Sequence, residues 1–131
     1  MKVLALDYGS ARTGVAVSDA TGTLARPVAV VERAATDAGL ARLAALIREE
    51  EPERIVVGLP LTLRGERGEQ ARETEQFVEA LRAAVDVPVE SFDERFTTTL
   101  AGQTPARAPE DARAAAHLLT SYLTWRSSSR S

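Results

Sequence analysis

The stretch Val3-Leu4-Ala5-Leu6-Asp7-Tyr8-Gly9, answered a few residues later by Gly14-Val15-Ala16-Val17-Ser18, decides the fold. Residues 3–7 form a short run that is apolar up to its closing acid, the pattern of a strand buried on both faces. Gly9, Ser10 and Gly14 bracket a turn, and the gap is short enough for the second run to return as an antiparallel hairpin. Thr21-Gly22 marks a further turn, and Pro27 to Val31 supplies a third strand. The chain therefore opens as a three-strand meander.

Working outward, the period changes at Thr36. Leu40, Leu43, Ala44 and Ile47 recur as one helical stripe, with Arg42, Arg48 and Glu49 off it, and Pro52 ends that helix. Ile55-Val56-Val57-Gly58 is a second dense apolar run. A strand–helix–strand connection of this length implies that the flanking strands are parallel. Leu59 to Gly68 reads as a glycine-containing loop, followed by a helix from Glu69 to Ala84 that buries Phe77, Val78, Leu81 and Val85. Val87 to Phe92 is a fifth strand. Thr97 to Pro109 is broken by Gly102, Pro105 and Pro109. A last helix from Glu110 to Trp125 buries Ala115, Leu118, Tyr122 and Trp125, and the chain from Arg126 frays.

Prolines order the sheet. Pro27 and Pro88 fall in the third and fifth strands, and a strand proline belongs at an edge. The two most apolar runs, the first and fourth, belong in the centre. The order 3-2-1-4-5 meets both conditions. The expected architecture is an α/β domain over residues 1–126, a five-stranded mixed sheet flanked by helices, with a tail at 127–131.

With 131 residues there is room for one such core and not for two. The absence of cysteine excludes disulfides and thiolate metal sites, and the single histidine, His117, leaves zinc short of ligands. A metal here has to sit among oxygens, which favours Mg2+ or Mn2+. Asp7 interrupts the N-terminal apolar run too early for a signal peptide, and no stretch can span a bilayer, so the expectation is a cytoplasmic protein without a membrane. A net charge of −3 speaks mildly against a nucleic-acid partner, although a local patch rather than the total governs phosphate affinity.

Three acids are candidates for chemistry. Asp7 closes a central strand, and ligands of open α/β sheets bind beyond the carboxyl ends of the strands. A turn aspartate is also common there. Phe92-Asp93-Glu94-Arg95-Phe96-Thr97-Thr98 lies at the end of the fifth strand on the same edge, where it could equally be a solvated turn. Asp111 is in the first turn of the last helix, a position that the helix dipole favours in any protein. Its phase with Ala115 and Leu118 directs it towards the sheet. Three carboxylates meeting at one site repel each other, and divalent cations remove that conflict while activating water against a phosphodiester. The loop from Gly58 to Gly68 has the glycine spacing of a phosphate cradle, with Arg64 and Arg67 as substrate contacts and no Gly-Lys-Ser/Thr ending. Arg12 and Thr13 in the first hairpin, and Arg95, Thr97 and Thr98 after the fifth strand, are the other candidates. His117, among alanines and leucines in mid-helix, reads as a packing or surface residue.

Four segments also resemble one family in the right order: Leu6-Asp7-Tyr8-Gly9 with Gly14-Val15-Ala16-Val17-Ser18-Asp19, Thr21-Gly22-Thr23-Leu24-Ala25-Arg26-Pro27, Ile55-Val56-Val57-Gly58-Leu59-Pro60-Leu61, and Asp93-Glu94-Arg95-Phe96-Thr97-Thr98. Together they look like the YqgF (RuvX) family, described as pre-16S ribosomal RNA nucleases and as Holliday-junction-resolvase-like. The resemblance runs from Lys2 to Tyr122. It implies a ribonuclease-H-like fold, a cytoplasmic protein maturing the 5′ end of 16S rRNA, and Asp7, Glu94 and Asp111 as catalytic and metal-binding acids. Its implied partner is nucleic acid, RNA before DNA, with pre-ribosomal particles, the protein being a monomer or homodimer. The segment before Asp111 departs from the family: it is short, contains only Arg107 as a base, and has Glu110 ahead of the aspartate.

Two other classes fit less well. Actin-like and sugar-kinase ATPases share the Asp-x-Gly opening but need a second domain to close over nucleotide. A non-catalytic nucleic-acid-binding assembly or transcription factor gains nothing from acids gathered near phosphate.

Overall fold

In a computed structural model the described residues are 1–60, 68–94 and 110–129, with the side chains of Glu110, Asp111, Ser128 and Ser129 excepted. Five strands and three helices follow in the order β1 (Val3–Asp7), β2 (Arg12–Ser18), β3 (Ala25–Glu32), α1 (Asp37–Glu50), β4 (Arg54–Leu59), α2 (Glu69–Ala84), β5 (Val89–Asp93) and α3 (Glu110–Ser129). The sheet order is β3-β2-β1-β4-β5. β2 is antiparallel to both β1 and β3, and β4 is parallel to both β1 and β5. This is the expected mixed, ribonuclease-H-like sheet.

Strand alternation divides the interior in two. Leu4, Leu6, Val15, Val17, Ile55 and Val57 face Leu43 and Ile47 of α1 and Phe77, Val78 and Leu81 of α2. Val3, Ala5, Ala16, Val56 and Phe92 face Ala115, Ala116, Leu118, Leu119 and Tyr122 of α3. β1 therefore has apolar side chains buried on both faces, which is why its sequence shows no polar alternation. Alanines on both sides of the second interface let α3 lie close to the sheet. The Tyr122 hydroxyl donates to the Glu90 carboxylate of β5. That carboxylate also pairs with Arg54 at 3.2 Å, so α3 is tied to the β4–β5 half of the sheet.

Local chemistry sets the element ends. The Thr36 hydroxyl accepts from the Gly39 amide at 3.1 Å and caps α1. Glu51 ends it in the left-handed region at φ 52°, ahead of Pro52. Pro27 lies on edge strand β3, opposite Ala16, where the β2–β3 register shifts. Pro88 does not lie within β5, contrary to expectation. It precedes the strand and contributes only its carbonyl, which accepts from the Ile55 amide at 2.9 Å.

Three further expectations are corrected. α3 continues to Ser129 instead of fraying from Arg126. Trp125 is 46% exposed: it follows the buried stripe, but β5 is the edge strand, and the ring packs on Phe92 and Tyr122 with centroids at 5.6 and 6.1 Å. Val85 is half-buried because α2 has already ended. Among the described residues no helix is long and apolar enough to cross a membrane.

Candidate active site

β1, β4 and β5 are parallel, so Asp7, Leu59 and Asp93 end at one edge of the sheet. The β1–β2 hairpin lies on that edge too, because Asp7 pairs with Gly14. Gly9 is required in the hairpin: a Cβ there would stand 2.5 Å from the Arg12 carbonyl oxygen. The edge opens into a cleft of about 220 Å3 lined by Asp7, Tyr8, Gly9, Ser10, Glu94 and, from the far wall, Pro60 and the first turns of α2.

Asp7 and Glu94 meet in this cleft. Glu94 is one residue past β5 and half-buried, and its side chain lies against Gly58 of β4 and shares a hydrogen bond with Asp7. Its carboxyl is pushed up from 4.5 to about 7, first by burial, then by the charge of Asp7 and the hydrogen bond with it, and last by Asp93. Burial and the adjoining Asp7 charge both favour a protonated Glu94 that is hydrogen-bonded to Asp7. An all-oxygen pair of this kind suits a hard divalent cation, which can take the place of the shared proton.

Among the described residues no group of three or more metal-binding side chains is assembled. The third expected acid, Asp111, belongs to the first turn of α3, and its side chain is outside the described residues. Arg64, Arg67, Arg95, Thr97 and Thr98 also lie outside them. Arg12 is exposed at the start of β2, on the active edge. Thr13 is a correction. It is fully buried, and its hydroxyl donates to the Gly9 carbonyl at 3.5 Å, so it shapes the hairpin and cannot face substrate. Gly58 lies in β4, as the apolar run Ile55–Gly58 predicts, and residues 61–67 of the expected phosphate-cradling loop lie outside the described residues.

The sequence reading missed the far wall of the cleft. Gln70, Glu73 and Thr74 line it from α2, and their spacing of three and four residues marks a single helix face. Tyr8 was passed over as well. Its ring stacks on Phe77 at 4.4 Å, and burial followed by the Glu73 charge raises its phenol above the ordinary value. An aromatic beside a strand-ending acid was the available signal.

A family model described as RuvX: Holliday junction resolvase matches residues 1–125. The chain belongs to the RuvX family. Among RuvX relatives, a protein of Chloroflexus aurantiacus named "Putative pre-16S rRNA nuclease" is 42% identical, over 92% of this chain and 85% of its own. One of the same name from Desulforudis audaxviator is 37% identical over 99% of both chains. The RuvX chain also resembles Thermus thermophilus RuvC solved with a Holliday junction substrate, with a TM-score of 0.66 at 20% identity over 97% of this chain and 96% of that one. At that identity the likeness establishes the shared ribonuclease-H-like fold.

Proposed function

We propose that this protein is a divalent-metal-dependent nuclease that hydrolyses phosphodiester bonds of RNA, acting in the cytoplasm on the 5′ end of pre-16S rRNA. The observation that carries the reading is the Asp7–Glu94 pair in a cleft at the carboxyl edge of the sheet, with Glu94 held near neutrality. The names of the RuvX relatives support the substrate.

Asp7 and Glu94 would hold Mg2+ or Mn2+, with Asp111 as third acid by helix phase: Ala115 and Leu118, four and seven residues on, are buried towards the sheet. Ions held there would supply an activated water and stabilisation of the leaving oxygen of the phosphodiester. The chain's own residues do the rest. Asp7 is fixed by a strand paired on both sides and provides the rigid acid. Glu94, pushed up to about 7 by burial and by Asp7, would act as a ligand in its deprotonated form. Arg12, exposed at the start of β2 on the same edge of the sheet, would contact a phosphate. Arg64, Arg67, Arg95, Thr97 and Thr98 extend the proposed strand-binding surface on the sequence pattern.

The family's description favours a second reading, resolution of branched DNA. Cleavage of a labelled RNA with a 5′ extension, single-stranded DNA and a four-way junction, each with Mg2+, Mn2+ or EDTA, separates the two. Metal-dependent cutting of the RNA is expected. Preference for the junction selects the second reading, and no cutting of any substrate overturns both.

A further inference from the structure

Glu94 directly follows β5, the edge strand, while Asp7 ends β1, and β4 lies between them. To share a hydrogen bond with Asp7, the Glu94 side chain has to cross the end of β4. The residue at the crossing is Gly58, which pairs with Phe92 in the β4–β5 register. A Cβ built on Gly58 would stand 2.8 Å from Glu94 Oε1, 3.1 Å from Glu94 Cγ and 3.1 Å from Leu118 Cδ2 of α3. The first distance is closer than carbon and oxygen can approach without one of them moving. Glu94 is a chain end with rotatable bonds, whereas the backbone of β4 is paired on both sides. The carboxylate would therefore give way before the strand did.

From this we infer that Gly58 is a positioning residue for the active site: its missing side chain leaves the slot through which Glu94 reaches across β4 to Asp7. The inference rests on the reading of Asp7 and Glu94 as a metal-binding pair. The Leu118 methyl at 3.1 Å would have to give by a few tenths of an ångström as well, but the Glu94 carboxylate oxygen at 2.8 Å is the closest of the contacts and has to shift.

The test is a double-mutant cycle on Mn2+ affinity, measured by calorimetry on metal-stripped protein without nucleic acid, and is thus independent of turnover. Glu94→Gln is expected to weaken Mn2+ binding about tenfold or more. Gly58→Ala should lose a comparable factor while keeping the wild-type far-ultraviolet circular dichroism. In the Glu94→Gln background, Gly58→Ala should cost little further. Cleavage by Gly58→Ala should fall in kcat with KM for the RNA unchanged, because the displaced group sits at the reacting centre. If Gly58→Ala does not fold, Leu118→Val added to it relieves the aliphatic contact and keeps the one with Glu94; restored folding with Mn2+ affinity still reduced supports the inference. Wild-type affinity in either folded variant overturns it, as does an equal loss with and without Glu94. Failure of Glu94→Gln to change Mn2+ binding would instead refute the metal-site reading on which it rests.

Discussion

A carboxyl held at about 7 in the folded protein and near 4.5 when unfolded makes stability depend on pH in a defined window. Between those values folded Glu94 keeps a proton that the unfolded chain has released. The unfolded state then binds fewer protons, so unfolding free energy falls as pH rises. The favourable contribution is complete below 4.5 and lost as pH passes through 7. Taken at face value the difference corresponds to about 3 kcal/mol. Glu94 is only half-buried, and solvent screening reduces that to roughly 1–2 kcal/mol. Urea denaturation of metal-free wild type and Glu94→Gln at about pH 5 and about pH 8.5 isolates the effect of the coupled pair, since titrations away from it are common to both. Wild type should lose about 1–2 kcal/mol relative to Glu94→Gln over that rise. Asp7→Asn should lose less than wild type, because it removes the second-ranked cause and leaves burial. Parallel pH profiles for wild type and Glu94→Gln would refute the proposed proximity of the two acids, and so would a wild type that gains stability on the alkaline side.

Other substitutions read other parts of the structure. The Asp19 carboxylate accepts from the Thr23 amide and the Thr21 hydroxyl, both at 2.8 Å, and is held below its ordinary titration range by those bonds. Asp19→Ala should lower the Tm at pH 7, and the difference should vanish as pH falls through that lowered range; a difference that persists in acid would mean that packing, not charge, is lost. Alanine normally improves a helix over glycine by about 0.5–1 kcal/mol. At Gly39, however, a Cβ would stand 2.0 Å from the Arg33 carbonyl oxygen and 2.7 Å from Ala34 Cα. Gly39→Ala should destabilise by about 1–3 kcal/mol in urea, and stabilisation would contradict the packing at the start of α1. Arg64→Ala should weaken RNA binding and reduce its salt dependence by about one counterion, whereas an unchanged salt slope would remove Arg64 from the binding surface.

The fold was legible because its signals are local and consistent. Uniform apolarity at Val3–Leu6 and Ile55–Val57 marked the two central strands, and Pro27 marked one edge; Pro88 stands just before β5, so the other edge was placed correctly by a proline outside the strand. Thr36 and Pro52 bounded α1. Asp7 and Glu94 could be brought together on paper because parallel strands must end at one edge. What the sequence did not carry was depth and lateral reach. Thr13 and Arg12 are neighbours in a hairpin, yet one is buried and the other exposed, because both faces of β2 are covered from Thr13 onward and Arg12 stands at its open end. Trp125 keeps the period of the buried stripe but runs past the covered part of the sheet. Gly58 closes an apolar strand run and borders a glycine-containing loop, a setting that gives it no site of its own. Its role depends on a side chain thirty-six positions away that crosses it, which no local pattern encodes.

The most direct test of the central claim is cleavage of 5′-extended RNA by EDTA-stripped wild type, Asp7→Asn and Glu94→Gln, each titrated with Mg2+ and Mn2+. Wild type should be silent in EDTA and recover fully with either ion or one of them. Both variants should stay at least about 100-fold slower at saturating metal, a loss of roughly 3 kcal/mol of transition-state stabilisation. Cleavage that survives EDTA, or an Asp7→Asn protein that cuts at the wild-type rate, would contradict a metal-dependent mechanism built on these two acids.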